Sequence, residues 1–290
     1  MSDNRSALAL VILSVTLLAA GDAVVRLLGE SLHVGQVIAY RGVLVMVIIA
    51  IGLVVAGFRL RRDHLLNKWA LVRGLAETVT TYTFFISIQF VPIAISTTIV
   101  FIFPVLLTLV SIPLYGEKVG PFRWLAVAMG FLGVVIISNP MGEDFNWIMI
   151  LPVITAVGLV CRDLITRKVS QDISAAEVTL TTAFVTTIFG FASFPLGWGA
   201  LQPAHYGMLP LAAGLVALSF ITYVMAIRKG ELSIIAPAQY LVILWATFWG
   251  ALIWQEYPSQ HAIFGGILII AAGGLIIWRE SVHSKKQAST

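Results

Sequence analysis

Ten stretches of nearly continuous apolar residues divide the chain, with approximate limits 7 to 29, 35 to 57, 68 to 90, 93 to 113, 121 to 138, 147 to 168, 175 to 197, 206 to 227, 233 to 254 and 262 to 279. Each is close to the roughly 20 residues that an α-helix needs to span about 30 Å of hydrocarbon. Turn and charge signals mark the joints: Arg59, Arg61, Arg62 and Asp63 after the second stretch, Gly116, Glu117 and Lys118 after the fourth, and Asn139, Pro140, Met141 and Gly142 after the fifth. The stretches are apolar throughout and do not alternate over about 10 residues, so they predict helices and exclude a β-barrel. No joint is long enough to hold a soluble domain. The pattern predicts an all-α integral membrane fold of ten transmembrane helices.

Composition agrees with the pattern. Of the 290 residues 59% are hydrophobic and 11% charged, whereas soluble chains carry roughly 25% charged residues. Such a surface has to face lipid. Arg5 before the first stretch and Ala19, Ala20 and Gly21 within it imitate a cleavable leader, but the apolar run resumes through Val24, Val25, Leu27 and Leu28, so it is read as the first helix.

With the amino terminus placed in the cytoplasm, fifteen of the eighteen Lys and Arg residues fall at inner ends, from Arg5 and the Arg59 to Arg73 group through Lys118, Arg123, Arg167, Lys168, Arg228 and Lys229 to Arg279, Lys285 and Lys286. The outer loops hold none, and Arg26, Arg41 and Arg162 lie within spans. This asymmetry predicts cytoplasmic placement of both termini, in a cell inner or plasma membrane. It also explains the net charge of +4 without nucleic acid.

An internal repeat is visible. An offset of 141 places Asp22 on Asp163 and Arg26 on Arg167, and an offset of 139 places Glu117 on Glu256 and the segment from Pro92 over the segment from Glu231. Two patterns in one order at nearly one offset predict a duplicated five-helix unit. Five being odd, the second copy enters the bilayer inverted. The expected division is residues 1–140, residues 141–280 and a cytoplasmic tail, 281–290. Inverted repeats around a midplane site are a common architecture of secondary transporters, because the halves can open to either side in turn.

The run from Arg73 through Pro92, Ile93, Ala94, Ile95, Ser96, Thr97 and Thr98, then Pro104, Gly116, Glu117, Gly130 and Gly133, resembles the EamA repeat of the drug/metabolite transporter superfamily. Ala236, Pro237, Tyr240, Trp245, Glu256, Gly265 and Gly266 repeat it, and Arg41 matches a position where these transporters carry arginine. The resemblance covers nearly the whole chain. It implies two inverted five-helix halves with the third, fourth, eighth and ninth helices lining a central cavity. The Ile165 to Lys168 and Pro237 to Tyr240 segments are similar to the branch that contains amino-acid and metabolite exporters and riboflavin and S-adenosylmethionine carriers.

Ionisable groups inside spans are the first candidates, since each costs roughly 2.5 to 3.5 kcal/mol at a helix centre on insertion scales. Glu77, about 13 Å from the inner end of its helix at 1.5 Å per residue, is read either as a cavity carboxylate for a cationic group or coupling proton, or as the partner of Arg73 one turn away. Asp22 and Arg41, at similar depths, are read as a charge pair locking the first two helices, or with Arg41 receiving a substrate carboxylate through its planar fork. Arg162 and Asp163, with Glu177 nearby, and the repeat-related Arg26 and Arg167 are read as gating or helix-pairing groups. On the helices that the resemblance places at the cavity, Tyr82, Phe85, Phe101, Tyr223, Gln239, Tyr240, Trp245 and Trp249 offer stacking and hydrogen bonds to a planar or amphipathic cargo, or fill gaps between helices. Pro104 is expected to kink the fourth helix, Pro237 to start the ninth, and the glycines from Gly130 and from Gly265 to permit close packing within the scaffold or at a homodimer face.

Enzyme signatures are missing from the sequence. His33, His64, His205, His261 and His283 are scattered without metal-ligand spacing, Cys161 is the only cysteine, and no P-loop is present. No cofactor or metal is expected. The sequence predicts a secondary transporter of a small organic metabolite, an amino acid or related amphipathic compound in the exporting direction, with protons considered as coupling ion and a monomer or homodimer as assembly. Uptake of riboflavin, S-adenosylmethionine or a similar metabolite is the alternative, and a membrane enzyme or receptor the reading from another class.

Overall fold

The computed structural model describes residues 2–55, 57, 61–103, 105–107, 109–110, 121–139, 146–166, 168–170, 172–229 and 238–287. Among these residues there is no strand, and ten helices have eight or more residues. They are α1 (Ser2–Gly29), α2 (Val34–Val55), α3 (Lys68–Phe90), α4 (Ile93–Val100), α5 (Pro121–Ser138), α6 (Ile150–Thr166), α7 (Ala175–Ala192), α8 (Pro203–Lys229), α9 (Leu241–Trp254) and α10 (Gln260–Gln287). A single helical turn, Arg62–Leu65, precedes α3.

Local chemistry sets several ends. Asn67 caps α3 by accepting from the Trp69 and Ala70 amides at 3.0 and 3.2 Å. Ser174 and Glu177 close a capping box at the start of α7, each satisfying a backbone donor that the helix leaves free. Five stretches are long and apolar enough to cross a membrane: Arg5–Gly29, Val34–Val55, Trp147–Thr166, Ala176–Leu196 and Pro203–Tyr223. Shorter apolar stretches fall in α4, α5, α9 and α10.

Helix α3 is different, with Lys68, Arg73, Glu77 and four threonines between Thr78 and Thr83. It packs against α6 and α7, buries Thr78 and Thr80, and turns the stripe Val72, Leu75 and Val79 outward. On α2 the outward stripe is Val43, Val47, Ile51 and Val54. Apolar stripes of this extent would be a liability in water; here they are the boundary with lipid.

The helices pack in a pattern that repeats on itself. The principal neighbours are α1 with α8, α3 with α6, α2 with α7, α5 with α10, α3 with α7, α1 with α9, α2 with α8, α4 with α9 and α4 with α6. Advancing each helix by five converts α1–α8 into α6–α3, α2–α8 into α7–α3 and α1–α9 into α6–α4. It leaves α2–α7, α4–α9 and α5–α10 unchanged.

The limits differ from expectation in four places. Helix α1 begins at Ser2, and α10 continues to Gln287, through most of the segment expected to form the tail. Helix α4 ends at Val100, where the Phe101 amide shares the carbonyls of Thr97, Thr98 and Ile99. The fourth stretch is thus interrupted at Phe101 and Ile102, ahead of Pro104, which lies outside the described residues along with Glu117, Arg167 and Pro237. Helix α9 starts at Leu241 after a turn at Tyr240, later than the expected residue 233, although 233–237 are not described.

Candidate functional site

The sequence places charges at three depths, and the structure gives each a different environment. At the outer end of α1, Arg26 forms a two-pronged bridge to Glu256 just beyond α9, with Nη1 to Oε2 at 2.6 Å and Nη2 to Oε1 at 2.5 Å. The side chains are 8% and 25% exposed. The Arg26 guanidinium lies 4.1 Å over the Trp254 ring, and Trp254 Nε1 donates to Glu30 Oε1 at 2.6 Å. Close by, Gln36 and Gly199 exchange two hydrogen bonds of 2.8 and 3.0 Å, and Ser31 is hydrogen-bonded to His205 at 2.9 Å. The outer ends of the helices are thereby laced together. The repeat singled out Arg26 and Glu256 separately; their pairing, and the part of Trp254 and Glu30, were not read from the sequence.

One turn further into α1, on the face that carries Arg26, lies Asp22. Arg41 stands at a similar depth on α2. The charge lock between them is not formed: neither side chain makes an ion pair or a hydrogen bond among the described residues. Arg41 instead places its guanidinium 4.7 Å over the ring of Phe85, and its buried Nε has no partner. Both residues are half-buried.

The inner level is fully partnered. Arg162 bonds Asp163 at 2.8 and 2.9 Å and reaches Glu77 at 3.3 Å. Arg73 donates to the hydroxyls of Thr166 and Thr182 at 2.9 and 2.6 Å, so the expected Arg73–Glu77 pair is replaced by Arg162–Glu77. The reason is geometric: Arg162 on α6 faces α3 across the bundle, where α3 and α6 pack together. Two arginines and two carboxylates balance in charge. Glu177 lies apart from this group, held by His64 at 3.1 Å and by its capping role. Arg167 is outside the described residues.

Aromatic candidates fall in two clusters. Phe101, Tyr223, Tyr240, Trp245 and Trp249 gather with Val11, Val15 and Ala19 of α1, and Gln239 Nε2 donates to Tyr223 Oη at 2.7 Å. Phe101 and Tyr240 are equivalents at the offset of 139, and their rings lie 5.1 Å apart. The Tyr240 Oη and Trp249 Nε1 are buried without a partner. Tyr82 and Phe85 belong to a second cluster with Val25, Leu28 and Val37; the Tyr82 hydroxyl is already engaged, donating to the Phe189 carbonyl at 2.8 Å.

A hollow of about 110 Å³ between α4, α9 and α10 is lined by residues such as Ile95, Thr98, Ile243, Thr247 and Ile270. It holds no charge and none of the residues predicted to bind cargo, and its two threonine hydroxyls bond their own helices. Asp22 and Arg41, internal charges without an ion pair among the described residues, lie elsewhere. Among the described residues no group of three His, Cys, Asp or Glu side chains comes together to hold a metal.

Comparison with known proteins agrees with the architecture. Residues 5–139 match the EamA-like transporter family. The chain is 24% identical over 281 residues to an S-adenosylmethionine uptake transporter of Rickettsia bellii, covering 95% of this chain and 94% of that one. It is 24% identical over 276 residues to the pseudopaline exporter CntI of Pseudomonas aeruginosa, covering 92% and 94%. To a riboflavin transporter of Rhizobium johnstonii it is 27% identical over 174 residues, 60% of this chain and 58% of that one. A crystal structure superposes with a TM-score of 0.62 at 17% identity, over 95% of this chain and 96% of the other, which shows a shared fold. With its outward apolar stripes and its all-helical bundle, this chain is an integral membrane protein whose residues 5–139, a little under half of its length, are similar to the EamA-like transporter family.

Proposed function

We propose that the chain is a secondary carrier that moves a small organic metabolite across the membrane by alternating access between two inverted five-helix halves, residues 1–140 and 141–280. The observation that carries this reading is the Arg26–Glu256 bridge, which ties α1 of one half to the end of α9 in the other, directly outward of Asp22. A contact between halves at one end of a two-fold bundle is what closes in one state and opens in the other. The exchange of packing partners between the halves supports the same reading.

The cargo class is an amino acid or a related amphipathic metabolite. Relatives aligned over more than nine-tenths of this chain bear the names of an uptake carrier for S-adenosylmethionine and an exporter of pseudopaline. Export and uptake are directions of one mechanism, set by the gradient applied. The cation distribution supports cytoplasmic termini in an inner or plasma membrane.

Purified protein in liposomes should move labelled solute down an imposed gradient, tested over S-adenosylmethionine, free amino acids and riboflavin. Saturable flux of one of them is expected. Binding without flux would make the chain a receptor and overturn the reading.

A further inference from the structure

We propose that Asp22 and Arg41 form a two-ended receptor for a zwitterionic α-amino acid group, Arg41 taking the carboxylate and Asp22 the ammonium. The inference rests on the carrier reading and adds the chemical class of the cargo. Its starting point is a pair of opposite charges, inside the bundle and on neighbouring helices, that do not meet. The anions acting through space on Arg41 are Asp22 and Glu77, and the cation acting on Asp22 is Arg41. Glu77 is taken by Arg162.

Elsewhere this scaffold gives its internal charges direct partners: Arg26 has Glu256, Arg162 has Asp163 and Glu77, and Arg73 has two threonine hydroxyls. Direct closure is the default because an unpaired charge at this depth is costly. The departure at Asp22 and Arg41 leaves a negative and a positive pole on two half-buried residues of α1 and α2. A molecule carrying both charges in the opposite order neutralises both poles at once.

The two poles suit the two ends. A guanidinium offers a planar fork that grips a carboxylate through parallel N–H donors, whereas a carboxylate is an acceptor for the three donors of an ammonium. The Phe85 ring, 4.7 Å from the Arg41 guanidinium carbon, is an attractive neighbour that helps hold the fork in place. The Arg26–Glu256 bridge lies one turn outward of Asp22 and shuts the site off from that side. Exclusion of water strengthens both contacts. An uncharged ring system neutralises neither pole.

The test is flux into liposomes holding the full chain, with labelled S-adenosylmethionine, methionine and riboflavin as probes. Unlabelled competitors are the carboxyl methyl ester and the decarboxylated form of the probe that is carried. A probe bearing the amino acid group should be carried, and in the unsubstituted protein loss of its carboxylate charge should weaken competition at least about tenfold, the range for hydrogen bonds to charged groups. In Arg41→Gln that difference should vanish, while Asp22→Asn should leave it and weaken every amine-bearing competitor. Arg41→Lys, which keeps the charge and loses the fork, should retain part of the discrimination. Should Arg41→Gln fail to yield monodisperse protein, the competitor series in the unsubstituted chain decides alone.

Equal competition by the carboxylate-free forms overturns the site. So does riboflavin flux indifferent to both substitutions, which leaves the carrier reading intact. A failure of all three probes to move overturns the carrier reading for this cargo class and the site with it. A water-bridged lock between α1 and α2 predicts something else again: a flat competitor series, and thermal stability regained in the double variant relative to either single one.

Discussion

Arg26 and Glu256 show what an internal charge requires in a bilayer. The bridge satisfies both heads twice over and lays the flat face of the guanidinium on Trp254. Removing one partner leaves the other without its counter-charge, which for a fully buried pair costs about 3–5 kcal/mol. Glu256 is 25% exposed, so water takes up part of the loss. Glu256→Gln and Arg26→Gln should each lower stability by about 1–3 kcal/mol, read by thermal denaturation in detergent. The double variant should lose less than the two singles combined, and strict additivity would show that the bridge contributes nothing of its own. At this scale the sequence is informative about which residues matter, because a charge inside an apolar run stands out: Asp22, Arg26, Arg41, Glu77, Arg162 and Asp163 all proved to be internal charges. It is uninformative about partners. The nearest charge along the helix, Arg73 for Glu77, lost to one on a facing helix 85 residues away.

At the scale of the element, apolar runs locate the helices well and their polar edges mark the caps, as the Ser174 to Glu177 box shows. The interruption at Phe101 and Ile102 falls within one turn of Pro104, which has no N–H for the Val100 carbonyl, so the sequence signals a break in this run but not which residues form the turn. The small residues expected to allow close packing do so within the chain. A methyl group on Gly265 would come 2.5 Å from the Gly133 carbonyl, and one on Gly133 would come 2.7 Å from the Gly265 carbonyl. These neighbours are backbone and cannot turn aside. Gly265→Ala should therefore push α5 from α10 and destabilise by about 1–3 kcal/mol. Gly274→Ala in the same helix meets nothing within 4 Å and should be neutral or slightly stabilising, since alanine is the better helix former. Equal melting temperatures for the two variants would mean that the glycine contact does not hold α5 to α10.

For the whole molecule, two independent observations describe one symmetry. The offset that lays Phe101 on Tyr240 comes from the chain, and the exchange of neighbours on advancing every helix by five comes from the packing. The Phe101 and Tyr240 rings, equivalents at that offset, lie 5.1 Å apart. If the chain works by the proposed alternating access between two halves, the bridge between α1 and the end of α9 has to break in every cycle, since it would span their boundary. The native thiol, Cys161, is exposed and single, so replacing it with serine clears the background. In that background Arg26→Cys with Glu256→Cys, joined by a bifunctional thiol reagent long enough to replace the bridge, should stop flux, and reduction of a cleavable linker should restore it. The uncrosslinked double variant should still carry solute, because removing a closing contact shifts the balance between the two states without removing either. Undiminished flux in fully crosslinked protein would show that the outer end stays shut throughout the cycle, and the path of the cargo would then have to avoid the space between α1 and α9.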